Sequence, residues 1–189
     1  MYPVIILCGG LGTRVQHISK GQPKSLIEIV DKPFLYWQLD NLIDQGVNKV
    51  ILCVGYLAVE IERAVNDYYQ EEKLEIIISE DGYELLGTGG AVKHALEYAD
   101  DKFFVLYGDS YLKCSFKAVQ EFFDKSDADA ILTVYKNFDM FDTSNIEFVD
   151  GKIVNYDKNP KSKMLYIDYG LGLYRASVFN DVQGTSFDL

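Results

Sequence analysis

The chain has 189 residues, 48% of them hydrophobic and 25% charged, enough to bury one substantial core and fitting a single domain. Its net charge of −11 would repel a phosphate duplex and argues against general nucleic-acid binding. No run of about 18 apolar residues occurs, so no segment is expected to span a membrane, and the opening MYPVIILCGG lacks the basic leader of a signal peptide.

Val4 to Cys8 is an apolar, β-branched run closed by Gly9-Gly10, the pattern of a fully buried strand. Phe34 to Asp44 has apolar residues at helical spacing and stops at Gly46, a C-cap signal. Lys49 to Val54 is a second buried strand, Ala58 to Tyr69 a helix and Leu74 to Ser79 a third strand. Thr88 to Ala99 reads as a helix with Thr88 as N-cap. Strand Lys102 to Tyr107, helix Ser115 to Lys125 and strand Ala130 to Tyr135 complete a strand–helix alternation. Such an alternation implies a mostly parallel sheet with helices on both faces.

From about Asn145 the pattern shortens: NIEFV, an Asp150-Gly151 turn, then KIVNY predict a hairpin. A further strand pair is expected at Met164 to Asp168 and Gly170 to Tyr174. The reading is one α/β domain over 1–189, a strand–helix part at about 1–135 followed by an antiparallel part at about 136–189. Ligands of parallel sheets bind beyond the carboxyl ends of the strands. Glycine-rich segments follow the first and fourth strands, which is where such a ligand would sit.

Gly9, Gly10, Gly12, Thr13 and Arg14 come directly after the first strand. Successive glycines let backbone N–H groups surround an anion. The order of residues fits neither the dinucleotide fingerprint nor the phosphate-binding loop with its Gly-Lys-Ser/Thr end, and a plain tight turn is the competing reading. Arg14 offers a fixed fork of donors suited to phosphate, and Lys24 follows the rigid Pro23. A glycine loop with two cations nearby reads as a triphosphate cradle. A second basic group, Lys158, Lys161 and Lys163, reads as solvated surface charge unless a phosphate binds there. Cys8, Cys53 and Cys114 form no C-x-x-C pair, as expected of reduced thiols in a cytoplasmic protein.

GGLGTR followed after eight residues by PK resembles the signature of the sugar-1-phosphate nucleotidyltransferases. The resemblance implies a Rossmann-like three-layer α/β fold of the nucleotide-diphospho-sugar transferase type, with a mixed, mostly parallel sheet and a small antiparallel appendage. It implies NTP and sugar 1-phosphate as substrates, Mg²⁺ as cofactor, and room for a homo-oligomer. It gives the loop around Leu7, Gly9, Gly10, Gly12, Thr13 and Arg14 to the NTP phosphates, and Lys24 to the transition state.

Leu86-Gly87-Thr88-Gly89-Gly90-Ala91 resembles the family segment packed against the nucleoside, and close packing of a helix is the competing reading. Glu80 could accept from a base edge or be a solvated surface glutamate. Gly108-Asp109 after the fourth strand resembles the family's metal motif, and the residue type suits Mg²⁺ between phosphates.

Tyr156 to Pro160 resembles the sugar-phosphate segment and implies a contact from Lys158, with Asp157 in the glutamate's place and Asn159 inserted. Ile167 to Gly172, with Tyr169 and Gly170, resembles the strand beneath the sugar ring. ILCGGLGTR with LGTGGAVKHAL most resembles guanylyltransferases acting on D-glycero-α-D-manno-heptose 1-phosphate, which implies GTP; a uridylyl-, cytidylyl- or thymidylyltransferase of the same family and a non-catalytic nucleotide-sugar-binding relative are the competing readings. The resemblance also implies a second metal carboxylate in a D-[IV]-G-T or E-I-G-S stretch, and none is present. Asp168, Asp181 and Asp188 are the late aspartates, and Ser186 looks like the N-cap of a helix that does not develop. The expectation is a fragment of a longer protein with weak NTP binding and poor turnover.

Overall fold

The computed structural model describes residues 1–10, 21–55, 57–68, 73–82, 86–157 and 159–189. Strand β1 (Val4–Leu7) opens the chain. A 3₁₀ turn at Lys24–Leu26 and a short hairpin of β2 (Glu28–Ile29) and β3 (Lys32–Pro33) lead into helix α1 (Phe34–Asp44). Then come β4 (Lys49–Val54), α2 (Ala58–Tyr68), β5 (Glu75–Glu80), α3 (Gly87–Ala95), β6 (Lys102–Tyr107) and α4 (Phe116–Asp124). The last elements are β7 (Ala130–Lys136), β8 (Ile146–Val149), β9 (Lys152–Tyr156), β10 (Tyr166–Arg175) and a 3₁₀ turn at Ala176–Phe179.

Local chemistry accounts for the element ends. In α1, Leu35, Leu39 and Leu42 are fully buried at a helical spacing. Gly46 then takes φ +81, its N–H donates to Ile43 and the Val47 N–H donates to Leu42, the paired bonds of a Schellman stop. Ser115 caps α4 by accepting from the Ala118 N–H at 3.2 Å.

The main sheet runs β5-β4-β1-β6-β10-β8-β9, with β7 on β10. The first four of these are mutually parallel and β10 is antiparallel to its neighbours. One face of the sheet, with Val4, Ile6, Val50, Leu52 and Phe104, packs on α1, α2 and α4 through Leu35, Leu39, Ile61, Phe116 and Phe123. The other face, with Ile5, Ile51, Cys53 and Phe103, packs on α3 through Ala91, Val92 and Ala95. This is the expected three-layer α/β architecture with a mixed, mostly parallel sheet, and the hairpin of β2 and β3 is a small antiparallel sheet beside it.

Three expectations are corrected. The two strands predicted around Asp168 and Gly172 are one strand, β10, whose register shifts between those residues. Gly170, expected as the start of the second strand, sits inside that irregularity at φ +94 and makes a bulge. Helix α3 stops at Ala95, because the Tyr98 and Ala99 N–H groups donate to Ala95 and Leu96 in tight three-residue turns. Thr88 is not its N-cap: Leu86 holds that position, and Thr88 lies inside the first turn.

Candidate active site

The chain leaves β1 toward β4 and β5 on one side and returns to β6 on the other, so the order of the parallel strands reverses between β1 and β6. Crevices at such a reversal, beyond the carboxyl ends of the strands, are where this architecture binds ligands. Gly9 and Gly10 leave β1 there, and Gly108 and Asp109 leave β6 beside them. The Gly108 N–H donates to the Leu7 carbonyl at 3.1 Å. A Cβ on Gly108 would lie 2.5 Å from that carbonyl oxygen and 3.2 Å from the Cys8 Cα, so only glycine lets the two strand ends approach this closely. A Cβ on Gly10 would meet nothing within 4 Å, which leaves its backbone open, whereas one on Gly9 would lie 3.2 Å from the Gly55 nitrogen.

Two charged side chains meet at this reversal. Lys24 Nζ donates to Asp109 Oδ2 at 2.5 Å, with the side chains 41% and 51% exposed. Pro23 holds the start of the short 3₁₀ turn at φ −53, and its carbonyl accepts from the Leu26 N–H. A lysine and an aspartate 85 residues apart thus converge on one exposed point, where a phosphate and a divalent cation would both find a counter-charge. Cys8 lies beneath, 8% exposed. Burial pushes its thiol up to about 12, with the neighbouring Ser25 hydroxyl opposing that rise. A thiol held neutral is no nucleophile, so Cys8 packs and does not react.

The segment that begins α3 is partly explained by packing. A Cβ on Gly89 would lie 2.3 Å from the Phe187 ring and one on Gly90 2.2 Å from the Thr185 carbonyl oxygen. The N–H groups of Gly89 and Gly90 donate to the Phe187 carbonyl, and the Thr88 N–H and hydroxyl both reach Asp188 Oδ1 at 3.3 Å. Gly87 adopts φ +71 against the same segment.

Glu80, the exposed last residue of β5, pairs in register with Val54. Its neighbour Asp81, not singled out in the sequence, is the acid that turns inward. A Cβ on Gly9 would stand 3.4 Å from Asp81 Oδ2. Burial raises the Asp81 carboxyl, opposed by the Leu86 N–H and His94. The signal for Asp81 was its place as the first residue after a parallel strand.

On the other side of Asp109 is the bulge of β10. A Cβ on Gly170 would lie 2.6 Å from Ser110 Oγ and 3.5 Å from the Tyr107 ring, so Tyr169-Gly170 abuts the Asp109 turn. Tyr169 stacks on Tyr135 with centroids 5.8 Å apart. Asp168, also missed as a site residue, is half-buried there. Its Oδ1 accepts from the Gly170 N–H at 2.8 Å and its Oδ2 faces the Tyr156 hydroxyl at 3.5 Å. Burial raises its carboxyl, and those two donors lower it.

Below the ordinary carboxylate range Asp168 is protonated in both folded and unfolded chains. As pH rises the unfolded chain ionises first, so this buried acid costs stability from there through its own raised value. Asp168→Asn should therefore melt higher than the parent at neutral pH, by an amount within the roughly 0.5–2 kcal/mol that relieving a strained site yields. The gain should shrink as pH falls toward about 4. Melts across that range check it, and a variant less stable at pH 7 than at pH 4, relative to the parent, would contradict it.

Gly12, Thr13, Arg14 and Lys158 lie outside the described residues. Asp157 Oδ1 accepts from the Asn159 N–H at 2.9 Å, so this carboxylate closes its own turn. Among the described residues no three His, Cys, Asp or Glu side chains gather as a preformed metal site, and no helix is long and apolar enough to cross a membrane.

A glycine turn, a lysine and an aspartate thus meet at the reversal of the parallel sheet. Residues 3–180 match the family described as nucleotidyl transferase, and the chain belongs to it. It is 33% identical over 177 residues to D-glycero-alpha-D-manno-heptose 1-phosphate guanylyltransferase of Campylobacter jejuni, covering 94% of this chain and 77% of that one. It is 30% identical over 187 residues to the mannose-1-phosphate guanylyltransferase catalytic subunit beta of Drosophila pseudoobscura, covering 95% of this chain and 49% of the relative. The crystal structure of HddC from Yersinia pseudotuberculosis complexed with GMP-PN superposes with a TM-score of 0.83 at 28% identity, covering 100% of this chain and 83% of that one. The chain is thus a member of an enzyme family of sugar-1-phosphate nucleotidyltransferases, and it spans about half the length of the mannose relative.

Proposed function

We propose that this protein transfers a nucleoside monophosphate, from GTP by preference, to a heptose or hexose 1-phosphate, giving an NDP-sugar and pyrophosphate. The observation that carries the reading is the Lys24–Asp109 contact of 2.5 Å at the open glycine turn. The heptose and mannose guanylyltransferases among the relatives support the choice of base and sugar.

In this reading the N–H groups of Gly9 and Gly10, with Gly12, Thr13 and Arg14 of the same motif, hold the NTP phosphates, while the Cys8 N–H stays on the Cys53 carbonyl at the end of the sheet. A phosphate oxygen of the sugar phosphate attacks the α-phosphorus in line. The bond to the bridging oxygen breaks and pyrophosphate leaves with the electron pair. No protein nucleophile takes part, in keeping with the neutral Cys8 thiol. Such transfers depend on positioning and charge neutralisation. Lys24 Nζ supplies positive charge to the phosphoryl oxygens as negative charge builds.

The Asp109 carboxylate fits Mg²⁺. It is an exposed hard-oxygen donor at the phosphate site, and this ion is commonly held by one or two carboxylates and the substrate phosphates. When bound, the ion neutralises charge on the triphosphate and orients it.

Gly87 and Thr88 flank the nucleoside, and Glu80 accepts from the guanine edge with Asp81 behind it. Lys158, Tyr169 and Gly170 take the sugar phosphate. Asp168, an acceptor beside them with burial already incurred, suits sugar hydroxyls. The buried reduced cysteines, Cys8 and Cys53, accord with a cytoplasmic enzyme, and a homo-oligomer is compatible with the reading.

Equimolar GTP, UTP, CTP and dTTP offered together with a heptose or hexose 1-phosphate and Mg²⁺ should give chiefly the GDP-sugar by mass spectrometry. A clear excess of a UDP-, CDP- or dTDP-sugar would refute the assignment of the base and leave the reaction class standing.

A further inference from the structure

Helix α1 and its C-cap residue carry three side-chain amides, Gln38, Asn41 and Gln45, at helical spacings of three and seven that place them on one stripe. All three point at the irregular chain between β6 and α4. Gln45 Nε2 donates to the Cys114 carbonyl at 3.1 Å, while its Oε1 accepts from the Phe116 N–H at 3.3 Å. Asn41 Nδ2 donates to the Leu112 carbonyl at 3.3 Å. Gln38 Nε2 donates twice, to the Tyr107 carbonyl at 3.0 Å and the Ser110 carbonyl at 2.8 Å.

Those two carbonyls are the ends of one β-turn. The Ser110 N–H closes it on the Tyr107 carbonyl at 3.0 Å, with Gly108 and Asp109 as the central residues. One amide group therefore grips both ends of the turn that presents the Asp109 carboxylate. Gln38 is 1% exposed, and its Oε1 is buried with no partner among the described residues. An unpaired buried acceptor costs free energy. A core helix position that needed only volume would be filled more stably by leucine or methionine. The amide is retained despite that cost, and its donors act on the Asp109 turn.

We infer that Gln38 is a positioning residue that fixes the direction of the Asp109 carboxylate, and through it the affinity of the site for a divalent cation. This rests on Asp109 as the metal ligand, as proposed above. Gln45 makes the natural comparison: it holds the same segment by the same chemistry, but at Cys114 and Phe116, beyond the turn.

The test is Mn²⁺ titration followed by electron paramagnetic resonance, with saturating GTP and no sugar phosphate, so that no turnover is needed. Gln38→Met should weaken Mn²⁺ binding about tenfold, the low end for residues that orient a metal ligand, while Gln45→Met stays within about twofold of the parent. Should Gln38→Met not fold, Gln38→Asn keeps the amide one methylene short of the turn and should show an intermediate loss. Unchanged Mn²⁺ affinity in the Gln38 variant, or an equal loss in Gln45→Met, would overturn the inference. Asp109→Asn in the same titration separates the two layers. If it too leaves Mn²⁺ bound normally, the metal assignment fails and the inference with it. If it abolishes binding while Gln38→Met does not weaken it, the metal assignment stands and only the role of Gln38 falls.

Discussion

Asp109→Asn should reduce turnover by about a hundredfold or more while leaving the fold intact, because the amide keeps the shape of the side chain but not its charge. The structural cost is small by comparison. Asp109 is half exposed and, among the described residues, pairs with the similarly exposed Lys24, and surface pairs of this kind contribute about 0–1 kcal/mol. A hundredfold loss in rate corresponds to about 2.7 kcal/mol, so the two effects are separable in one variant. Activity measured against Mg²⁺ concentration, beside a thermal melt, checks both. Near-normal Mg²⁺-dependent turnover would remove Asp109 from the metal site and leave it as a turn residue.

Lys24→Ala should lower kcat by about 10²–10³-fold while changing the dissociation constant for the NTP far less. The reason is where the ammonium acts. The ground-state phosphates are also held by the backbone N–H groups after β1, but charge added at the α-phosphorus appears only in the transition state, and Lys24 stands 2.5 Å from the Asp109 carboxylate. An interaction made mainly in the transition state shows in kcat rather than in binding. Steady-state kinetics with an independent nucleotide-binding titration distinguishes the cases. Equal losses in binding and kcat/KM would make Lys24 a ground-state anchor, and no loss in either would return the Pro23-Lys24 stretch to a structural turn.

Much of the fold was legible because its strong signals are local. The helix Phe34–Asp44 and the strands Lys49–Val54 and Lys102–Tyr107 have the bounds the sequence predicts. Each is an apolar pattern with a clean stop, as at Gly46. What was not legible depends on distant chain. Nothing near Gly170 says that β10 inserts between β6 and β7 and bulges there. Nothing near Gly89 and Gly90 says that Thr185 and Phe187 pack on them, so their small size reads equally well as space for a nucleoside.

The same division holds for the site. Lys24 and Asp109 are legible as motif residues, and the topology of β1 and β6 brings them into contact. Asp81 was passed over for Glu80 because adjacent acids at a strand end look alike until the sheet decides which one faces Gly9. Gln38 resembled an ordinary polar residue on an amphipathic helix, and its partners are carbonyls, which have no sequence signature.

The most direct measurement follows a labelled phosphorus. The protein is incubated with Mg²⁺, a heptose or hexose 1-phosphate, and GTP carrying ³²P at either the α or the γ position. The proposed chemistry sends the α label into an NDP-sugar and the γ label into pyrophosphate, in equal amounts, and chelation of the metal stops both. Release of γ label as inorganic phosphate, with no α label in any sugar nucleotide from GTP, UTP, CTP or dTTP, would contradict nucleotidyl transfer at this site.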